Sequence, residues 1–133
     1  MAKLRHVAIS VPNPEKSAEF YCKTFGMSIV GTTDSPLASG VYLSDGTVSL
    51  ALLNYKNDES AGLDIGKDYV GVHHFGFWCD DLDEQQKAIE ANGGEFFMEL
   101  PSGKESLCYE MKFRDPDNII FDISHTGWIG AKR

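Results

Sequence analysis

Two short stretches of the chain alternate large apolar residues with other residue types. Residues 6–11 have valine or isoleucine at every second position, and residues 74–79 have phenylalanine or cysteine there. A period of two is typical of a β-strand that buries one face. Both stretches begin with a histidine on the opposite face, His6 in the first and His74 in the second. They begin an internal repeat with a constant offset of 68 positions.

A helix is predicted after each strand. In the first copy, Asn13 is a suitable N-cap, a proline follows it, and Gly26 suits the left-handed position that ends a helix. In the second copy, Asp81 with Glu84 three residues later is typical of a capping box, and two glycines follow the helical segment. The two copies therefore predict equivalent helices.

After each helix the sequence has three strand-like patches separated by turn residues, so each copy predicts a βαβββ module. In the turn before the last strand, Asn118 can adopt the left-handed conformation nearly as readily as glycine. We expect an α+β fold in one domain that spans the whole chain. The modules would cover about residues 3–54 and 70–125, with a polar linker at about residues 55–69 and a short C-terminal tail.

Charge and cysteine content restrict the function classes. The chain has 20 acidic and 12 basic residues, a formal net charge of −8, which repels nucleic-acid phosphates. We therefore expect no nucleic-acid partner. The first residues lead directly into a strand without a long apolar segment, so we expect a cytoplasmic protein with no membrane association. The cysteines, Cys22, Cys79 and Cys108, are odd in number and far apart, which predicts reduced thiols.

Asp122 is the acidic residue that most requires an explanation. It lies inside the apolar last strand, residues 119–124, where aspartate is disfavoured. A carboxylate there needs a hydrogen bond, an opposite charge or a metal ion, and His6 and His74 are natural partners for it. These three residues form a two-histidine, one-carboxylate set for one divalent metal ion. Fe(II) is the favoured occupant, and Mn, Zn, Ni or Co are alternatives.

Other residues have ordinary structural explanations. A lone histidine on a strand is more often a core or surface residue than a ligand. His73 is expected on the face opposite His74, and His125 lies beyond the last strand, so both are interpreted as structural. Three residues are further candidates for lining a cavity: Trp78, Tyr109 and Glu110. Tyr109 is also the candidate catalytic group, and no catalytic base is identified.

Three motifs together resemble a known family. They are residues 5–9 followed by residues 13–17, then residues 71–77, and finally residues 115–118 leading to Asp122. With these motifs, residues 4–123 resemble the vicinal oxygen chelate superfamily of glyoxalases, bleomycin-resistance proteins and extradiol dioxygenases. The resemblance implies a cupped, eight-stranded mixed β-sheet made of both modules, with a small-molecule site inside.

The resemblance also implies which positions would hold a metal ion. In metal-using members the ligands come from the first and last strands of each module, which correspond here to His6, Ala51, His74 and Asp122. The methyl group of Ala51 cannot coordinate, so a ring-cleaving extradiol dioxygenase is favoured over glyoxalase I, and Ala51 becomes a pocket residue. Asp122 replaces the usual glutamate. It could bind the ion directly or through water, or mark a member that has lost its metal.

Two hypotheses follow for the function. The first is a metal-dependent enzyme of the dioxygenase or lyase and isomerase type that acts on a small oxygen-bearing molecule. The alternative is a metal-free small-molecule-binding protein of the bleomycin-resistance type. The resemblance further implies a homodimer.

Overall fold

The chain folds as the same series of elements twice, as the repeat predicts. The computed structural model describes residues 1–100, 102–104 and 109–127. The first module consists of β1 (Lys3–Ser10), α1 (Pro14–Phe25), β2 (Ser28–Asp34), β3 (Ala38–Ser44) and β4 (Ser49–Tyr55). A short helix, α2 (Asp58–Ala61), follows in the expected linker. The second module consists of β5 (Gly71–Trp78), α3 (Leu82–Ala91), β6 (Glu95–Glu99), β7 (Met111–Arg114) and β8 (Ile120–Ser124).

These strands form one mixed sheet in the order β2-β3-β4-β1-β5-β8-β7-β6. β1 and β5 pair antiparallel at its centre, and each pairs in parallel with the last strand of its own module. The registers correspond: Ala8 is paired with Ala51 in module one, and Gly76 is paired with Asp122 in module two. The predicted α+β fold is confirmed, and Ala51 and Asp122 occupy equivalent positions.

Side-chain chemistry determines where several elements begin and end. The side chains of Asn13 and Asp81 accept hydrogen bonds from the backbone N–H three residues later, at 3.0 and 2.9 Å. Gly26 ends α1 with a φ of 69°, and Asn118 has the same φ in the turn before β8. The predicted caps and this turn are confirmed.

The two longer helices, α1 and α3, pack on one face of the sheet. On β3 and β4, apolar residues that contact α1 alternate with apolar residues that point to the other face. This follows because successive strand residues point to opposite faces. A second core joins Cys79, Phe113 and Ile123 to apolar residues of α3. The opposite face of the sheet is thereby left for a cavity.

Two of the three cysteines lie among the described residues. Cys22 and Cys79 are free thiols, and Cys108 lies outside the described residues. Over the described ranges, no helix is both long and apolar enough to cross a membrane.

Both central strands contain a bulge directly before a predicted metal ligand. The pairing of β1 with β5 skips Arg5 on β1 and His73 on β5. A bulge bends a strand and redirects its side chains. Arg5 and His73 are therefore buried, and the Nδ1 atoms of His73 and His74 are 2.9 Å apart. The prediction that His73 faces away from His74 is wrong because the bulge interrupts the alternation on which it depended.

Candidate functional site

A cavity of about 250 Å³ lies against the face of the sheet opposite α1 and α3. Thr33 of β2 and Met98 of β6 both line it, although β2 and β6 are the two edge strands. The sheet therefore curves around the cavity, and one chain forms the predicted cup. Most of the remaining lining is apolar. Its histidine, acidic and basic members, which lie close together, are His6, His74, Glu110 and Lys112.

The three predicted metal ligands lie together beside this cavity. The Nε2 atoms of His6 and His74 are each 3.4 Å from Oδ2 of Asp122. Glu110 joins them, and one potential ligand atom from each of the four residues lies within 4.8 Å of all the others. All four residues are buried. Two imidazoles and two carboxylates in this arrangement could hold a metal ion.

Two cationic side chains contact both carboxylates. The Arg5 guanidinium is paired with Glu110 and lies 3.5 Å from Oδ1 of Asp122. The Lys112 ammonium donates to Glu110 and to Asp122, at 3.1 Å in each case. Its distance to Nε2 of His74 is 3.3 Å. The buried cluster therefore contains two cations and two carboxylates, and its formal charges balance.

This pairing fixes the protonation of the charged residues that line the cavity. Burial alone would raise the pKa of Glu110, but Lys112, His6 and Arg5 lower that pKa to about 2. Burial alone would lower the pKa of Lys112, but Glu110 and Asp122 raise it above its usual value. Glu110 is consequently a carboxylate and Lys112 an ammonium at neutral pH.

A chain of hydrogen bonds determines which nitrogen of His74 carries the proton. His73 Nε2 lies 2.6 Å from the carbonyl oxygen of Ala61, which can only accept, so His73 Nε2 carries a proton. Burial lowers the pKa of His73, so its Nδ1 is unprotonated and accepts from Nδ1 of His74 at 2.9 Å, with the Tyr55 hydroxyl farther away at 3.3 Å. His74 then presents the lone pair of Nε2 to the cluster. This network assigns the tautomer, and burial keeps the pKa of His74 well below its usual value.

Gly76 provides the space in which the cluster converges. A Cβ atom at this position would lie 2.7 Å from Nδ1 of His6, and closer still to Oδ1 of Asp122. Real side-chain carbons do not approach polar atoms so closely. The site therefore needs glycine on β5 opposite Asp122.

Two predicted pocket residues lie elsewhere, whereas Ala51 and Glu110 line the cavity. Nε1 of Trp78 donates to the carbonyl oxygen of His125 at 3.0 Å, and the indole ring packs near Gly127. The Tyr109 hydroxyl donates to Glu99. Burial and this hydrogen bond raise the pKa of Tyr109 to about 12, so it retains its proton at neutral pH. Neither Trp78 nor Tyr109 is among the described residues that line the cavity.

Sequence reasoning missed Arg5, Lys112 and the contact of His73 with His74. Lys112 had a usable signal, because it lies two positions after Glu110 and therefore shares its face in an extended chain. Arg5 and His73 had a weaker one, since they are separated by the same 68-position offset as the two histidines predicted to be ligands. Neither signal reveals a bulge.

Comparisons with known proteins identify related sequences. A family model described as the Glyoxalase/Bleomycin resistance protein/Dioxygenase superfamily matches residues 3–123. A protein of Brassica oleracea var. gemmifera, provisionally named a lactoylglutathione lyase, is 26% identical over 126 residues. The match covers 92% of this chain but only 44% of that protein, so the chain spans less than half of its relative.

Solved structures share the fold at low sequence identity. A hypothetical protein of Bacillus halodurans C-125 has a TM-score of 0.74 and 17% identity, covering 99% of this chain and 95% of its own. A variant of Streptomyces coelicolor methylmalonyl-CoA epimerase in complex with 2-nitronate-propionyl-CoA also has a TM-score of 0.74, with 22% identity and coverage of 91% and 94%. At such identities the likeness concerns the fold.

Proposed function

Because this chain belongs to the Glyoxalase/Bleomycin resistance protein/Dioxygenase superfamily, we propose that it is an enzyme acting on a small molecule held in the cavity. The observation that carries this proposal is the buried cluster of His6, His74, Glu110 and Asp122 beside that cavity. Burying ionisable groups costs free energy, and a chain that needed only a stable core would be served by apolar residues. Perturbed ionisable groups at a cavity are typical of functional sites.

We propose further that His6, His74 and Asp122 hold a divalent metal ion, with Glu110 as an additional carboxylate. Two observations support a fit: Gly76 leaves room for the ligands to converge, and the tautomer of His74 directs a lone pair toward them. Fe(II) is favoured by the two-histidine, one-carboxylate set. When bound, such an ion would supply a Lewis-acid centre for substrate oxygens.

The chain's own residues define the substrate that would fit. Leu37, Leu53 and Leu100 line the cavity and would enclose an apolar body. The ionisable lining residues would contact its oxygen-bearing end. The charge of the Lys112 ammonium attracts an anionic oxygen there, whereas the ionised Glu110 can only accept a hydrogen bond. A small, mostly apolar molecule with adjacent oxygens satisfies both parts of the lining.

Ring-cleaving dioxygenase chemistry is the type that we favour within the superfamily. Ala51 occupies the position in module one that Asp122 occupies in module two, so module one contributes a methyl group there. A glyoxalase-type set with a fourth ligand at this position is therefore incomplete in this chain. The set of two histidines and one carboxylate remains.

The test is the metal content of untagged protein, measured by mass spectrometry before and after anaerobic reconstitution with Fe(II). We expect near-stoichiometric metal in the wild type and in His125→Ala, which removes a histidine outside the cluster. We expect its loss in His6→Ala and Asp122→Asn. Loaded protein would then be assayed with catechols for ring cleavage. A wild type that holds no metal after reconstitution would contradict the metal-dependent proposal.

A second candidate function is a metal-free protein that binds a small molecule. It is favoured by Arg5 and Lys112, which already balance the charges of Glu110 and Asp122. In this case the cavity would bind its ligand through the Lys112 ammonium and the apolar lining. Ligand binding that is unaffected by chelators and by His6→Ala would support this candidate.

A further inference from the structure

The Lys112 ammonium lies among three of the four potential metal ligands. Its neighbours are Oε2 of Glu110 at 3.1 Å, Oδ2 of Asp122 at 3.1 Å and Nε2 of His74 at 3.3 Å. An ammonium group has three N–H donors and no acceptor, so these contacts use all of them. Lys112 is also buried. It lies on β7 directly opposite Asp122, with which it is paired on β8.

These contacts involve the same atoms that a metal ion would need as ligands. Oδ2 of Asp122 lies 3.4 Å from Nε2 of both His6 and His74, so it is the atom that those imidazoles share as a neighbour. The proton assignment directs Nε2 of His74 toward the same place. Nε2 of His74 has a single lone pair, which cannot accept a hydrogen bond from an ammonium and coordinate a cation at the same time, while the carboxylate oxygens would have an ammonium and a metal cation close together.

The charges lead to the same conclusion. Arg5 and Lys112 together balance Glu110 and Asp122, and Arg5 is fully buried on the bulge of β1. A divalent ion added to this set would leave an uncompensated buried charge of about two units, which is costly in a medium of low dielectric constant. Removing the charge of Lys112 instead leaves an excess carboxylate, which favours a bound cation.

We infer that Lys112 is the resident cation of this cluster and that its ammonium competes with a divalent metal ion for the same ligand atoms. This inference concerns the site of the proposed function and rests on its ligand assignment. Lys112 therefore limits the affinity of the cluster for metal in the wild-type chain. It is a determinant of metal binding that lies outside the set of ligands.

The experiment measures metal affinity without an activity assay. Chelator-treated wild type, Lys112→Gln and Lys112→Arg would be titrated with Co(II), followed by its visible absorption, and their zinc content would be measured after dialysis against Zn(II). Lys112→Gln should bind at least about tenfold more tightly than the wild type, because a repelling charge at close range is removed. Lys112→Arg keeps the cation and should bind no more tightly than the wild type.

Two controls keep the comparison interpretable. Lys87→Gln removes the same charge from an exposed position on α3 and should leave affinity at the wild-type value. Lys112→Met provides a second neutral variant if Lys112→Gln does not fold, as judged by circular dichroism and thermal unfolding. Equal affinity in the wild type and the folded neutral variants, including no binding in any of them, would overturn the competition.

The outcomes separate this inference from the metal-dependent function. Metal in the wild type, with no gain in the Lys112 variants, would retain the proposed metal site and reject the inference. A wild type without metal, together with a Lys112→Gln variant that binds it, would support the inference and favour the metal-free candidate function. Absence of binding in both would reject both.

Discussion

Gly76 lies where β5 passes closest to the cluster, and it has no side chain to accommodate. The Gly76→Ala variant would place a methyl group against His6 and Asp122. Because both partners are buried and paired, neither can move without losing contacts. We expect a loss of about 1–3 kcal/mol in the free energy of unfolding, the usual range for overpacking, measured by urea denaturation.

Gly103→Ala is the matched control for this variant. Among the described residues, a Cβ atom at position 103 would meet nothing within 4 Å beyond its chain neighbours, so its unfolding midpoint should not fall below that of the wild type. If Gly76→Ala were as stable as the wild type and retained its ligand or metal binding, the cluster would have more room than its contacts indicate.

At the scale of elements, the two bulges decide which side chains reach the site. Arg5 and His73 each occupy the bulge position before a histidine, yet their roles differ. Arg5 pairs with the carboxylates, whereas His73 connects His74 to the carbonyl of Ala61 at the end of α2. Both modules therefore have a bulge at the same position of the repeat, but the side chain at the bulge has different partners in each module.

The N-cap of α1 supports a prediction at the same scale. Asn13→Ala removes the acceptor for the backbone N–H of Lys16, which lies 3.0 Å from Oδ1 of Asn13. We expect a loss of about 1 kcal/mol in the free energy of unfolding, measured by urea denaturation, while Asn13→Ser should remain near the wild type. Equal losses in both variants would show that the cap contributes through something other than this hydrogen bond.

For the whole molecule, the buried Tyr55 predicts sensitivity to alkali. Burial is the main reason that its pKa is raised from 10.0 to about 12. In the unfolded chain Tyr55 loses its proton at lower pH than in the folded protein. The contribution of Tyr55 to the free energy of unfolding is therefore complete below pH 10. It is lost as the pH rises toward about 12, by about 1.4 kcal/mol per pH unit.

Urea unfolding of the wild type and Tyr55→Phe at several pH values between 9 and 11.5 would measure this contribution. The wild type should lose stability faster than Tyr55→Phe as the pH rises above about 10. Tyr55→Phe also removes a 3.3 Å hydrogen bond to His73, so the comparison uses the slope with pH rather than the absolute stability. If stability fell equally steeply with pH in both proteins, the raised pKa of Tyr55 would be contradicted.

The homodimer implied by the resemblance stays a prediction at this scale. One chain already supplies both sides of the cavity, because both edge strands line it. Light scattering coupled to size exclusion should give twice the mass of the chain, and a monomer that still binds ligand would contradict the expectation without affecting the site.

The sequence by itself determined the repeated elements and three of the cluster residues. Strand alternation, the caps at Asn13 and Asp81, and the turn at Asn118 depend on local chemistry, which neighbouring residues express without the rest of the fold. His6 and His74 were found because they occupy one position in the repeat. Asp122 was found because a carboxylate in an apolar strand requires a partner.

Only the tertiary structure decided what surrounds those residues. Arg5 and His73 face the site because the register of β1 against β5 contains bulges, and register depends on pairing between residues far apart in the chain. Lys112 reaches the cluster because β7 pairs with β8, which places it opposite Asp122. The sequence therefore specifies the proposed ligands, while the long-range strand pairing places the cations of Arg5 and Lys112 against them.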